Sequence, residues 1–175
     1  MNAPDYAEPI AAWRVWRVLG RRDDIRLRSV VYGTLWPVGE PMRARCLRHR
    51  RSLLPWRRPH EHVAPEENCT CGVYAADLEG LRPYLDGFEP RLRPVQRVLG
   101  RVSLWGDVLE CERGWRATLG YPQQLYVPTV DARDGDARAV ALGLGEYGVP
   151  VELLECAGSD EALRLLEARE HSAAA

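Results

Sequence analysis

Val95-Gln-Arg-Val-Leu-Gly100-Arg-Val-Ser-Leu-Trp105-Gly-Asp-Val-Leu-Glu110-Cys-Glu112 is the stretch on which the fold class turns. From Val98 to Val108 every second residue is Val, Leu or Gly. That is the period of a strand with one face against a core. Gly100 and Gly106 fall on the apolar positions, and glycine inside a strand marks a bulge or a close backbone approach. Glu112-Arg113-Gly114 reads as a hairpin turn, with residues 115–119 as the returning strand. Tyr121-Pro122 reads as the end of that strand, and residues 125–127 as another short one.

Upstream, residues 25–35 alternate apolar and polar before turning β-branched, a second strand signal. Pro37 and Gly39 make a turn, and residues 41–47 form a further short strand. Residues 69–76 read as a buried strand or strand entry, and residues 78–85 as one or two helical turns interrupted by Pro83. Residues 48–68 offer little to bury, so they read as a loop long enough to be functional or disordered. Residues 1–10 read as a flexible arm.

Downstream, Ala139, Leu142 and Tyr147 have helical spacing, Gly148 fits a left-handed helix end, and Pro150 stops the chain there. Residues 151–156 form a short apolar strand. Ser159 caps a last helix, with Asp160 and Glu161 complementing its dipole and Leu163, Leu165 and Leu166 giving it an apolar face. These readings combine into an α+β protein. Residues 11–130 build a curved or barrel-like antiparallel sheet, the 48–68 loop lies across one end, and residues 131–175 form a small α-β-α tail packed on it.

The hydrophobic and charged fractions, 46% and 28%, are those of an ordinary globular domain. No apolar run reaches the ~20 residues of a membrane span, and the start lacks the basic and apolar regions of a signal peptide. The expected location is the cytoplasm, where thiols stay reduced. Five cysteines, an odd number, also argue against a complete disulfide framework. All 24 basic residues are arginine, which the base composition of a GC-rich gene accounts for. Net charge is +1 over residues 1–42, +4 over 43–130 and −6 over 131–175, which sum to the overall −1. A mildly basic body favours an anionic ligand, but the chain falls short of the basicity of a dedicated nucleic-acid domain.

Three stretches belong together: Cys69-Thr-Cys-Gly-Val-Tyr-Ala75; Gly100-Arg-Val-Ser-Leu-Trp-Gly-Asp-Val108; and Gly114-Trp-Arg-Ala117 followed by Tyr121-Pro122. The set resembles a group of uncharacterised bacterial proteins with Cys-x-Cys-Gly-x-Tyr-Ala, Gly-x-Val-x-Leu-Trp-Gly-x-Val and Gly-aromatic-Arg-Ala stretches. The resemblance covers about residues 60–127. It implies a shared fold and no mechanism; a β-barrel that binds nucleic acids or modified bases is a fold-level analogy.

Two constellations carry chemistry. Cys46, His49, His60, His62, Cys69 and Cys71 fall within 26 residues. Zinc takes four such ligands in a tetrahedron, and Cys46, His49, Cys69 and Cys71 are the expected set. On a strand, Cys69 and Cys71 would share a face. They equally suit a core, where free cysteine packs as a small hydrophobe, or a redox-active thiol pair. The second constellation is arginine with interleaved aromatics. Trp56, Arg57 and Arg58 suit a phosphate backbone with a stacked base, unless the loop is a solvated face. Tyr74, Trp105 and Arg116 suit the wall of a small-ligand pocket, unless Trp105 is core.

Catalytic signatures are weak. His60, Glu61 and His62 hold a candidate general base, but no nucleophile elbow, P-loop or His-Glu-x-x-His pattern occurs. The sequence therefore points to a non-catalytic binding module for an anionic, aromatic ligand, a nucleotide or nucleic-acid element. The alternatives are a structural zinc module docking on a protein partner, and a thiol-dependent enzyme.

Overall fold

A computed structural model describes residues 8–20, 24–46, 62–85, 96–130 and 136–173. The quoted stretch is the centre of the fold. Strand β5 (Arg97–Cys111) turns at Glu112 and Arg113 into β6 (Gly114–Pro128). Their ladder is antiparallel, with register shifts between Arg101 and Val102 and between Trp105 and Val108. Gly106 sits in the second shift at φ +79°, a conformation an L side chain rarely adopts.

β1 (Ile10–Leu19) pairs with the other edge of β5, and β2 (Arg26–Ser29) pairs with β1. The sequence reading assigned no element to residues 11–24. β1 lacks the alternation of a half-buried strand because both of its faces are covered. Ala12 and Trp16 enter one apolar cluster, and Trp13 and Val15 the other. Such strands read as continuous apolar runs.

The outer edge of β6 serves three partners in turn. β4 (Val73–Ala75) pairs with Trp115 to Ala117, and β3 (Met42–Arg43) with Leu119 and Gly120. β7 (Val151–Leu154) pairs in parallel with Leu125 to Pro128. The seven-stranded sheet is therefore mixed, and it is not closed into a barrel. The expected α+β class holds; of the expected curved or barrel-like antiparallel sheet, the all-antiparallel pairing is corrected by β7 and the sheet does not close into a barrel. A parallel partner needs a crossover, which the segment carrying α2 (Asp136–Leu144) supplies. An isolated bridge between Trp13 and Ala76 joins β1 to the residue after β4.

Two other expectations change. β6 runs through Tyr121 and Pro122 instead of breaking there. Pro122 lies opposite Val102, beside the first register shift, where a missing N–H disturbs the ladder least. The strand expected over 25–35 ends at Ser29, and the chain turns through residues 30–32.

One face of the sheet packs Trp16, Leu27, Trp36, Val102, Leu104 and Leu125 against Val140, Leu144 and Tyr147 of α2 and the 3-10 turn after it. The other packs Trp13, Leu99, Tyr126 and Leu154 against Leu163 and Leu166 of α3 (Ser159–Ala173), with Leu81 and Leu85. Leu85 ends α1 (Arg82–Leu85), the short helical piece expected near Pro83. Gly148 takes the expected left-handed conformation, φ +67°. The tail's acids meet the body: Glu146 pairs with Arg26, Asp160 with Arg82, and Glu170 with Arg101. Tyr147 ties the two together in the interior, accepting from Leu27 N at 2.9 Å and donating to Trp36 O at 2.9 Å. No helix among the described residues is long and apolar enough to cross a membrane.

Candidate metal centre

Where β3 and β4 meet β6, the packing changes character. A third, small cluster holds only Ala64, Cys69 and Cys71, with Ala44 and Cys46 beside them. The Sγ atoms of Cys46, Cys69 and Cys71 and a ring nitrogen of His62 all lie within 4.8 Å of one another. Cys46 Sγ is 3.7 Å from Cys69 Sγ, and His62 Nε2 is 3.2 Å from Cys71 Sγ. A tetrahedral zinc with Zn–S near 2.3 Å requires ligand–ligand edges of about 3.5–3.8 Å. The donor set and its spacing fit zinc.

Three segments supply these ligands. Cys46 follows β3, whose pairing is prolonged by Ala44 N donating to Thr118 O at 2.8 Å. His62 leads a stretch anchored where Thr118 Oγ1 donates to Ala64 O at 3.2 Å. Cys69 and Cys71 precede β4. Of the two alternatives expected there, a buried strand or a strand entry, they form the entry: Cys69 N donates to Glu66 O at 3.0 Å, closing a turn. Gly72 then lets the chain enter β4 at φ +133°, and a Cβ there would lie 2.9 Å from Arg116 Cβ.

Arg116, on β6, organises this turn. Its Nη1 donates to the carbonyls of Cys69, of Cys71 at 3.1 Å and of Glu66 at 3.3 Å, and its Nε donates to Cys111 Sγ at 3.1 Å. The side chain is 92% removed from solvent, leaving 8% exposed. One guanidinium thus reaches three carbonyls of the turn, Glu66 O being shared with Cys69 N. Such support fixes ligand orientation in metal sites. Three thiolates around a divalent cation would carry net −1, which the buried guanidinium offsets.

Burial pushes the Cys71 thiol up to about 11. The thiols of Cys69 and Cys46 add to the effect, and a backbone hydrogen bond at Glu66 opposes it. Crowded, buried thiols resist ionising unless a cation shares their space, and a coordinated thiol is deprotonated outright.

The sequence-derived sites divide unevenly. Cys46, Cys69 and Cys71 converge as expected. The fourth position is held by His62, while His49 lies outside the described residues, as do His60, Trp56, Arg57 and Arg58. Arg116 directs its Nη1 to the cysteine turn and its Nε to Cys111. Tyr74 lies beside it, with Arg116 Cζ 6.0 Å from its ring, and donates to Thr70 O at 2.8 Å. Trp105 is half-buried opposite Leu119 and is not among the residues lining the cavity beside the cysteines. Glu110 and Glu112 are exposed at the hairpin, as expected.

That cavity, of about 880 Å³, is lined by Arg14, Trp36, Met42, Tyr74 and the cysteine segments. Arg14 escaped the sequence reading. The signal was an arginine in the apolar run Ile10–Leu19, two residues from both Ala12 and Trp16. No family model matches the chain, and neither the curated proteins nor the solved structures contain a significant match.

Proposed function

We propose that Cys46, His62, Cys69 and Cys71 bind one structural zinc ion, and that the protein is a non-catalytic binding module whose cavity wall this ion holds in shape. The convergence of four zinc-type donors from three separate segments carries the reading. Among the described residues this corner's own cluster is two cysteines and an alanine, with Ala44 and Cys46 beside them, little apolar surface to fix it without a cation. Four protein ligands leave no open position for a substrate, the pattern of a structural site. The raised Cys71 thiol also works against a thiolate nucleophile in the metal-free state.

Elemental analysis of the purified, untagged chain tests this. The expected result is about one zinc per chain, lost on chelation together with a fall in melting temperature. Metal-free protein with unchanged melting after chelation refutes it. The second reading, a module for an anionic aromatic ligand, is supported by the unpaired donors around Arg14.

A further inference from the structure

We infer that Arg14 is the anchor of an oxyanion-binding site, taking the carboxylate or phosphate of a small molecule with a planar ring. The observation behind it is an excess of donors with no acid among them. Arg14 lies in the row of β1 side chains that faces the first core, between Ala12 and Trp16. Its Nη1 donates to Tyr74 O and its Nη2 to Ser29 Oγ at 3.1 Å. Its Nε is shut off from solvent with no partner. Among the described residues it forms no ion pair, unlike Arg26, Arg82, Arg101 and Arg169. Burial lowers its guanidinium only to about 10, so the charge persists at neutral pH.

The surroundings extend the pattern. Ser29 Oγ accepts from both Arg14 Nη2 and Trp36 Nε1, the latter at 3.1 Å. Its own hydroxyl hydrogen is therefore left to donate. Trp16 Nε1, on a ring 5.9 Å from the Arg14 guanidinium, is likewise buried without a partner. Arg14 is half-buried, and among the described residues its charge meets only neutral acceptors and the Trp16 and Trp36 rings; an oxyanion entering from the cavity that Arg14 and Ser29 line is the group that would use the remaining donors. The guanidinium stacks 5.0 Å from the Trp36 ring. Trp36, Tyr32 and Tyr74 line the cavity with Met42 and Val73, which suits a flat apolar body. Arg43 and Arg45 line it too and are exposed, where they would steer an anion inward; among the described residues Glu40 is the only acid in the lining.

The anchoring donors of Arg14 and Ser29 are not metal ligands, but Cys46, Cys69 and Cys71 form part of the same cavity wall, so the test uses zinc-replete protein and follows bound metal alongside binding. Benzoate and adenosine monophosphate are the two probes, followed by calorimetry and tryptophan fluorescence at low and high salt. We expect one of them to bind at one site per chain, the preferred probe separating a carboxylate from a phosphate ligand. Arg14→Met should weaken that binding about 10- to 100-fold, as loss of a charged hydrogen-bond donor does, with zinc content unchanged. Ser29→Ala should weaken it less, keeping the test valid if the first variant folds poorly. A merely structural Arg14 predicts a lower melting temperature for Arg14→Met; an anchor predicts an equal or higher one, because removing a half-buried charge with no counterion among the described residues relieves its cost. Failure of both probes to bind the wild-type chain, or undiminished binding by Arg14→Met and Ser29→Ala, overturns the inference.

Discussion

The two ends of β6 are stabilised in opposite ways. At its end, residues 125–128 pair with β7 and are sandwiched between the packing of α2 and α3, with Leu125, Val127, Leu154 and Leu166 essentially excluded from water. At its start, residues 115–120 carry β4 and β3, and the segments around them converge on three thiols, an imidazole and one guanidinium. The apolar end combines its strand pairing with deep burial. Among the described residues the polar corner has less of that surface and relies on hydrogen bonds from Arg116 and, on the proposed reading, on a cation. The same strand thus spans a region that should fold without metal and a region that should not.

The largest expected effect comes from breaking the corner chemically. Cys69→Ser or Cys71→Ser should abolish stoichiometric zinc. Hydrogen exchange should then speed up across residues 62–75 and leave residues 125–154 protected; uniform exchange along β6 would erase the contrast between its ends. His62→Ala should lower zinc affinity steeply while His49→Ala retains it, and the reverse would restore the ligand set expected from sequence.

Next in size is the opposite end. Leu166→Ala should cost about 2–5 kcal/mol in denaturant unfolding with zinc content unchanged. A smaller loss is expected at the hinge between the two regimes. Arg116→Ala removes the donor shared by the Glu66, Cys69 and Cys71 carbonyls and should lower zinc affinity about 10- to 100-fold, with Arg116→Lys recovering part of it. Competition titration with a chromophoric chelator measures both.

The smallest effect concerns protons. A thiol raised in the folded, metal-free state binds its proton more tightly there than in the unfolded chain. Its contribution is therefore intact below the unfolded thiol range and is lost as pH rises toward about 11. Chelated protein should lose stability over that alkaline window. Zinc-loaded protein should instead release its metal as pH falls, because protons compete for the thiolates. Melting curves against pH in the two states separate these opposite slopes.

What the sequence made legible follows the same division. The tail was readable because its signals are local: Gly148 and Pro150 end one helix, and Leu163 and Leu166 give the next its face. The β5 strand and its turn were readable from period two. β1 was not, since a strand buried on both faces has no alternation, and the continuity of β6 past Pro122 depends on a partner that shifts register there. In the corner, Cys46, Cys69 and Cys71 were visible as ligands, but choosing His62 over His49 requires knowing how the chain returns. Arg116 was legible as a cation beside Tyr74, but not its bonds to three carbonyls of the cysteine turn, which depend on how the chain folds back onto β6. Arg14 was overlooked for the complementary reason, that nothing nearby in sequence marks its charge as unpaired.

The most direct test of the central claim is a cobalt(II) titration of the metal-free chain, followed by absorption. The account predicts saturation at about one cobalt per chain, with intense tetrahedral d–d bands and thiolate charge-transfer bands in the near ultraviolet. Zinc should bleach both, and Cys71→Ser should lose them. A weak octahedral spectrum, or one without thiolate bands, would contradict a metal held by Cys46, His62, Cys69 and Cys71.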